Sequence, residues 1–267
     1  MAVDLVDEQG LTVAVIGTGF IGASIAKGLL ESGFATQIVG EDIDSSALQQ
    51  ASITRRLDLA QDAQVVDIWV LAVPPDSVGP WLERIAALAQ PGAVITDTTS
   101  VKESIYACIP DGLRSRFVGG HPLIGGHQHG CEVPNPHCFA DQHWILIPGD
   151  ADDTTVKRIE QMVFALDAIP VHMTASDHDR HLAMLSHLPA TLAGMLGGLE
   201  RDLSFAHISD SNWPIHTGTS PELWAQVLMH NRDEVRLAIL ALEGRLQELL
   251  RALESGDKSA ISQMLSD

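Results

Sequence analysis

Leu11-Thr-Val-Ala-Val-Ile16 runs without interruption into Gly17-Thr18-Gly19-Phe20-Ile21-Gly22, and a helical pattern carries on from residue 20 to residue 32. Glycines spaced G-x-G-x-x-G are common, so the position decides the reading. Here the run sits where a short β-branched strand ends and a helix begins. Gly17 permits the tight turn, Gly19 lets the backbone approach a pyrophosphate, and Gly22 lets the helix pack close to the strand. The free N–H groups at the helix start attract phosphate. Gly17, Thr18, Gly19, Phe20, Ile21 and Gly22 are therefore predicted to hold a dinucleotide.

Outward from this turn, residues 37–40, 65–73 and 93–97 read as further strands, with helices over 45–54 and 77–89. The strand runs do not alternate with polar residues, as expected where both faces of a parallel sheet are buried. Residues 116–119, 144–147 and 169–172 continue the strands, and 152–166 reads as a helix. Beyond residue 175 no strand pattern appears. The fold class expected is α/β: a doubly wound, Rossmann-type nucleotide-binding domain over 1–174, then an all-helical domain over 175–267. Pro189 must kink or interrupt the first of those helices. Val235, Ile239, Leu242, Leu246, Leu249 and Leu253 form an apolar stripe in a later one. Core packing in one subunit and pairing with a second copy both fit that stripe; a homodimer through the helical domain is expected.

The second strand ends in Glu41-Asp42. A carboxylate there accepts hydrogen bonds from ribose hydroxyls and repels a 2′-phosphate, and no Arg follows until Arg55, so NAD is favoured over NADP. Asp42 is the expected contact and Glu41 its rival. Val73-Pro74-Pro75 closes the next long strand at the same sheet edge, where it either borders the ligand crevice or simply ends the strand.

The chain has 267 residues, 35 acidic and 16 basic, for a net charge of −19. Such a surface repels nucleic acid and anionic lipid. The acidic start has no signal-peptide pattern, no apolar run is long enough to span a bilayer, and the three cysteines are an odd number without framework spacing. A reducing, cytoplasmic setting is the expectation.

Two later loops carry residues suited to hydride chemistry: Thr96-Asp97-Thr98-Thr99-Ser100-Val101-Lys102 and Gly119-Gly120-His121-Pro122. Oxidising an alcohol requires a base for the hydroxyl proton, and a neutral imidazole suits that task near pH 7. His121 is the candidate base, Ser100 a hydrogen-bond partner for the same hydroxyl, and Lys102 a contact for a negative substrate or a loop cap. His127, His129, Cys131, His137 and Cys138 lie close together, yet their spacing fits no standard zinc pattern and hydride transfer needs no metal, so none is assigned. A hydrolase triad of Ser186, His187 and Asp179 is discarded, because neighbouring helix residues do not face each other.

These residues, with Leu71–Asp76, Trp144–Pro148, His178-Asp179, Ser186-His187-Leu188-Pro189 and Ser220-Pro221-Glu222-Leu223-Trp224, make a chain that resembles the prephenate/arogenate dehydrogenases of tyrosine biosynthesis. The resemblance implies His121 as the catalytic histidine, Ser100 as its partner at the ring hydroxyl, and Ser186 and His187 on the substrate side. It implies hydride transfer from a cyclohexadienol to NAD(P)+, with loss of carbon dioxide aromatising the ring. Two positions depart from the family. Ala190 stands where a second histidine is usual, and Ile215 where an arginine grips a substrate carboxylate, with His216, Trp213 or a group from a partner subunit as the candidate replacements. Gly126-His127-Gln128-His129 also differs from the family loop. These departures favour an altered carboxylate pocket or an amino-substituted or otherwise altered cyclohexadiene. A β-hydroxyacid dehydrogenase or imine reductase would want a lysine within 177–199, and there is none. A non-catalytic relative fits poorly with Ser100, Lys102 and His121 all in place.

Overall fold

A computed structural model describes residues 10–44, 47–48, 53–124, 133–202 and 220–266. The first part alternates strands and helices: β1 (Leu11–Ile16), α1 (Phe20–Glu31), β2 (Ala35–Glu41), β3 (Arg55–Arg56), α2 (Leu59–Asp62), β4 (Ile68–Leu71), α3 (Pro75–Leu88), β5 (Val94–Asp97), α4 (Glu103–Ala107), β6 (Phe117–Pro122), β7 (His143–Ile147), α5 (Asp153–Ala165) and β8 (Ile169–His172). They build one sheet in the order β3-β2-β1-β4-β5-β6-β7-β8. The strand order turns back between β1 and β4, which places the glycine turn at the crevice where doubly wound sheets bind ligands.

The unalternating strand pattern has a direct cause. Val13 and Val15 pack into one core with Ile25, Leu29 and Trp144, while Ala14 and Ile16 pack into a second with Trp69, Leu82 and Phe117. Both faces are dry, so both sets of side chains are apolar. Strand direction is not legible in such runs, and here the structure adds to the expectation: β7 lies antiparallel to β6, with His121 opposite Ile145. The short β3, α2 and α4 had no sequence signal. The helix expected over 45–54 lies mostly outside the described residues.

The described residues after β8 are helical: α6 (Ala175–Leu182), a π turn (Ala183–His187), α7 (Leu188–Asp202), α8 (Pro221–His230), α9 (Arg232–Ser255) and α10 (Lys258–Met264). Pro189 has no N–H to donate, and the chain meets this with a wide turn rather than a break: Leu188 N–H donates back to the Ala183 carbonyl, five residues away. That turn carries Ser186 and His187. Along α9 the stripe is covered unevenly: Val235 is buried, Leu242 and Leu249 are half-buried, and Ile239, Leu246 and Leu253 are exposed. Val235 and Ala238 pack with Ala183 and Leu188, whereas Leu246 and Leu253 are more than half outside the chain's own core or close to it, at 50% and 59% exposure. No described helix is long and apolar enough to cross a membrane.

Two glycines of the turn are required by contact. Gly17 has φ of +85°, and a Cβ there would lie 2.2 Å from the Ala72 carbonyl oxygen; one on Gly22 would lie 1.9 Å from the Gly17 oxygen. Around Gly19 nothing lies within 4 Å of such a carbon. Gly22→Ala should therefore cost about 1–3 kcal/mol despite the better helix propensity of alanine. Gly19→Ala should leave thermal stability essentially unchanged. Calorimetric melting of the two variants beside the wild type checks the contrast.

Candidate active site

The open space over Gly19 is the cradle that a pyrophosphate needs, and α1 begins at Gly19 without a side-chain cap, so its first N–H groups are left for a ligand. Asp42 Oδ2 accepts from Thr18 N–H at 2.5 Å and Thr18 Oγ at 3.0 Å, while Oδ1 accepts from Asp44 N–H at 2.8 Å. The carboxylate thus pins the phosphate loop to the end of β2. Its rival Glu41 is engaged by Arg56 at 3.1 Å, and Arg55 is paired with Asp62. Val73 packs against Gly17, Pro74 precedes α3, and Pro75 is its first residue, where a missing N–H is harmless. These groups sit together along one sheet edge and fit a dinucleotide.

Further along that edge β5 ends in a buried charge pair. Lys102 Nζ donates to Asp97 Oδ2 at 2.5 Å and to Thr99 Oγ1 at 3.2 Å, with both charged side chains fully buried. Asp97 also takes N–H bonds from Thr99 at 2.9 Å and from Gly120 at 3.1 Å. The second bond fixes β6 one residue before His121. Of the two roles expected for Lys102, a contact for a negative substrate or a loop cap, its position just before α4 fits the second. Its ammonium is enclosed and consumed by Asp97 and Thr99 rather than left for a substrate, so it supports the site from beneath.

His121 sits near the end of β6 and half-buried, its Nδ1 2.9 Å from Nε2 of His178. His178 Nδ1 lies 2.7 Å from Asp179 Oδ1. The Asp179 carboxylate accepts N–H bonds from Lys102 and Glu103, each at 2.8 Å, and so closes the start of α4. Asn231, at the junction of α8 and α9, donates Nδ2 to the Asp179 carbonyl at 2.8 Å and meets His187 Nδ1 at 3.1 Å. The Trp224 ring stands edge-on to His187 at 6.3 Å. Burial pushes all three histidines toward the neutral form. His121 is held well below the usual range, first by burial and then by the like-charge repulsion its protonated ring would meet from His178, Lys102 and His187. His178 is lowered by burial against the pull of Asp179. His187 falls to about 4 by burial, against the pull of Asp179 and with the Ser100 backbone also favouring its protonated ring.

The structure therefore brings His121, Ser100 and His187 to one seam between the sheet and the helices. Ser186 is half-buried in the π turn beside His187, and Ala190 follows on α7. Asp179 bonds His178 rather than His187, which agrees with setting aside a hydrolase triad. Ile215, His216 and Trp213 lie outside the described residues, as do His127, His129 and Cys131. Of the remaining pair from that cluster, His137 is exposed and Cys138 is buried in the core. Sequence reasoning gave no site role to Asp97, Thr99, His178 or Asn231. The adjacent His178-Asp179 was a visible signal, but Asn231 had none.

Two family descriptions cover almost the whole chain: "Prephenate dehydrogenase, nucleotide-binding domain" matches residues 25–172, and "Prephenate dehydrogenase, dimerization domain" matches 174–267. The chain belongs to the prephenate dehydrogenase family. Among family relatives, a probable prephenate dehydrogenase of Streptomyces niveus is 31% identical over 93% of this chain and 71% of its own length. The prephenate dehydrogenase of Lactococcus lactis is 25% identical over 96% of this chain and 75% of its own. The chain spans 65% to 75% of the length of such curated relatives. In fold it is similar to the prephenate dehydrogenase of Aquifex aeolicus crystallised with hydroxyphenyl propionate and NAD+, with a TM-score of 0.87, 24% identity, and coverage of 96% of this chain and 95% of that one.

The neutral histidine cluster has a consequence for stability in this family member. An unfolded chain protonates its histidines near pH 6.5, while the folded chain resists doing so. Below that pH the unfolded state binds more protons, so stability is complete above about pH 6.5 and declines as the pH falls. For His187 the decline ends near pH 4 and amounts to about 3 kcal/mol. The melting temperature should therefore drop steeply between pH 7 and 5, and His187→Gln should flatten that drop. Calorimetric scans of both proteins across this range provide the check.

Proposed function

We propose that this chain is an NAD-dependent dehydrogenase that oxidises prephenate, arogenate or a close cyclohexadienol analogue, with loss of the ring carboxylate as carbon dioxide. The observation that carries this reading is the placement of the His121 imidazole between the nucleotide edge of the sheet and the helical seam that holds His187 and Ser186, where burial favours its neutral form. Gly17–Gly22 and Asp42, with Val73, Pro74 and Pro75 alongside, are the proposed cofactor contacts. NAD supplies a hydride acceptor when bound there. His121 takes the hydroxyl proton as the C–H bond gives up its hydride, and Ser100 orients that hydroxyl. The carbonyl that forms draws electrons from the breaking bond to the ring carboxylate, and aromatisation makes the step effectively irreversible. Ser186 and His187, with His216, are proposed to meet the substrate's other polar groups.

Turnover is measured as NADH formation on prephenate and arogenate. His121→Asn should lower kcat by roughly 10²–10⁴ while leaving NAD affinity intact, the usual worth of a positioned base. Near-full turnover by that variant would remove His121 from this role.

We also propose two domains, 1–174 and 175–267, and a homodimer through the second. Leu185, Met195, Leu250 and Leu253 are 58–75% exposed on the π turn, α7 and α9. Apolar patches of this kind on one chain mark association surfaces. A second copy buries them symmetrically. Light scattering should give twice the chain mass for the wild type, and Leu250→Glu with Leu253→Glu should shift it toward the monomer.

A further inference from the structure

The geometry points to His178 and Asp179 as a positioning pair that fixes which nitrogen of His121 carries its proton, keeping Nδ1 protonated and Nε2 free as the acceptor. This deepens the reading of His121 as the base and rests on it.

Asp179 is 1% exposed. Its two oxygens accept the Lys102 and Glu103 N–H groups, and as a carboxylate it only accepts. The 2.7 Å contact with His178 Nδ1 therefore places a proton on that nitrogen. His178 is fully buried and held toward neutrality, so it has one ring proton, and its Nε2 carries a lone pair. Across 2.9 Å that lone pair faces His121 Nδ1, which must then be the donor. His121 is neutral for the reasons given above, so its own lone pair is on Nε2. The opposite arrangement sets two lone pairs against each other at 2.9 Å, or turns the His178 lone pair onto the Asp179 carboxylate. Neither has a hydrogen bond to offer in a buried site.

The same peptide sets His187 the other way. Asn231 Nδ2 is anchored as a donor by the Asp179 carbonyl, so His187 Nδ1 accepts and its proton is on Nε2. That nitrogen is buried and makes no hydrogen bond of normal geometry among the described residues, the Ser100 backbone being the one group that draws on its proton. One turn of α6 thus presents an acceptor on His121 and a donor on His187 at a single seam. A base needs the first, and a carboxylate or carbonyl of the substrate needs the second.

The test begins without substrate. In full-length protein labelled with ¹⁵N-histidine, long-range proton–nitrogen spectra separate the two tautomers, and His121→Asn identifies the His121 signals. The wild type should show His121 protonated on Nδ1. In turnover on prephenate, His178→Leu should lower kcat by 10²-fold or more with little change in KM or NAD affinity. His178→Gln, which keeps an acceptor oxygen, should recover most of that loss. The wild-type spectrum and the two His178 variants decide. A wild-type His121 protonated on Nε2, or a folded His178→Leu with normal kcat, overturns the inference. Absence of turnover on every cyclohexadienol together with an Nδ1-protonated His121 overturns the proposed function instead and leaves the pairing standing.

Discussion

The Asp179 carboxylate is the contact on which the rest of the site depends. It stands on the first helix after the sheet, nearly fully buried, and takes three N–H groups: two from the start of α4 and one from the His178 ring. Removing a carboxylate from water is costly, and only such a full set of donors offsets it. The two backbone donors lie 76 and 77 residues away in sequence, so satisfying the charge also docks the helices against the β5 edge. Its backbone carbonyl extends the same junction through Asn231 to His187.

A second buried charge works from the sheet side. The Lys102–Asp97 pair sits under the seam with no exposure. Buried pairs of this kind contribute little net stability, since desolvation consumes much of the attraction. What the pair provides is placement. Asp97 holds the Gly120 N–H, which sets the register of β6 just before His121, and the fixed ammonium helps keep His121 unprotonated. Burial of the surrounding histidines follows the same logic: neutrality suits a base and lowers acid stability.

The π turn at Ala183–His187 joins local chemistry to this tertiary frame. Pro189 removes one donor from the helix, and the resulting five-residue hydrogen bond widens the turn that carries Ser186 and His187. The sequence announced a disturbance at Pro189, but the wide turn that accommodates it came only with the structure. The apolar stripe on α9 shows the complementary case, because its periodicity declared a helix while only the structure showed that Val235 is buried and Leu246 and Leu253 are exposed on a single chain.

The sequence by itself determined what short-range physics controls. The glycine turn, the strand runs buried on both faces, the helical second half and the candidate His121 each rest on residues within a few positions of one another, where propensity and periodicity act. Tertiary structure alone decided what depends on contacts across long separations. It enclosed Lys102 against Asp97, gave Asp42 a clamp on Thr18, ran β7 antiparallel to β6, and linked His121 to His178 across 57 residues. A buried strand carries no mark of its direction, and a buried polar group no mark of its partner. Those are settled only when the packed chain requires every hidden donor and acceptor to find a match.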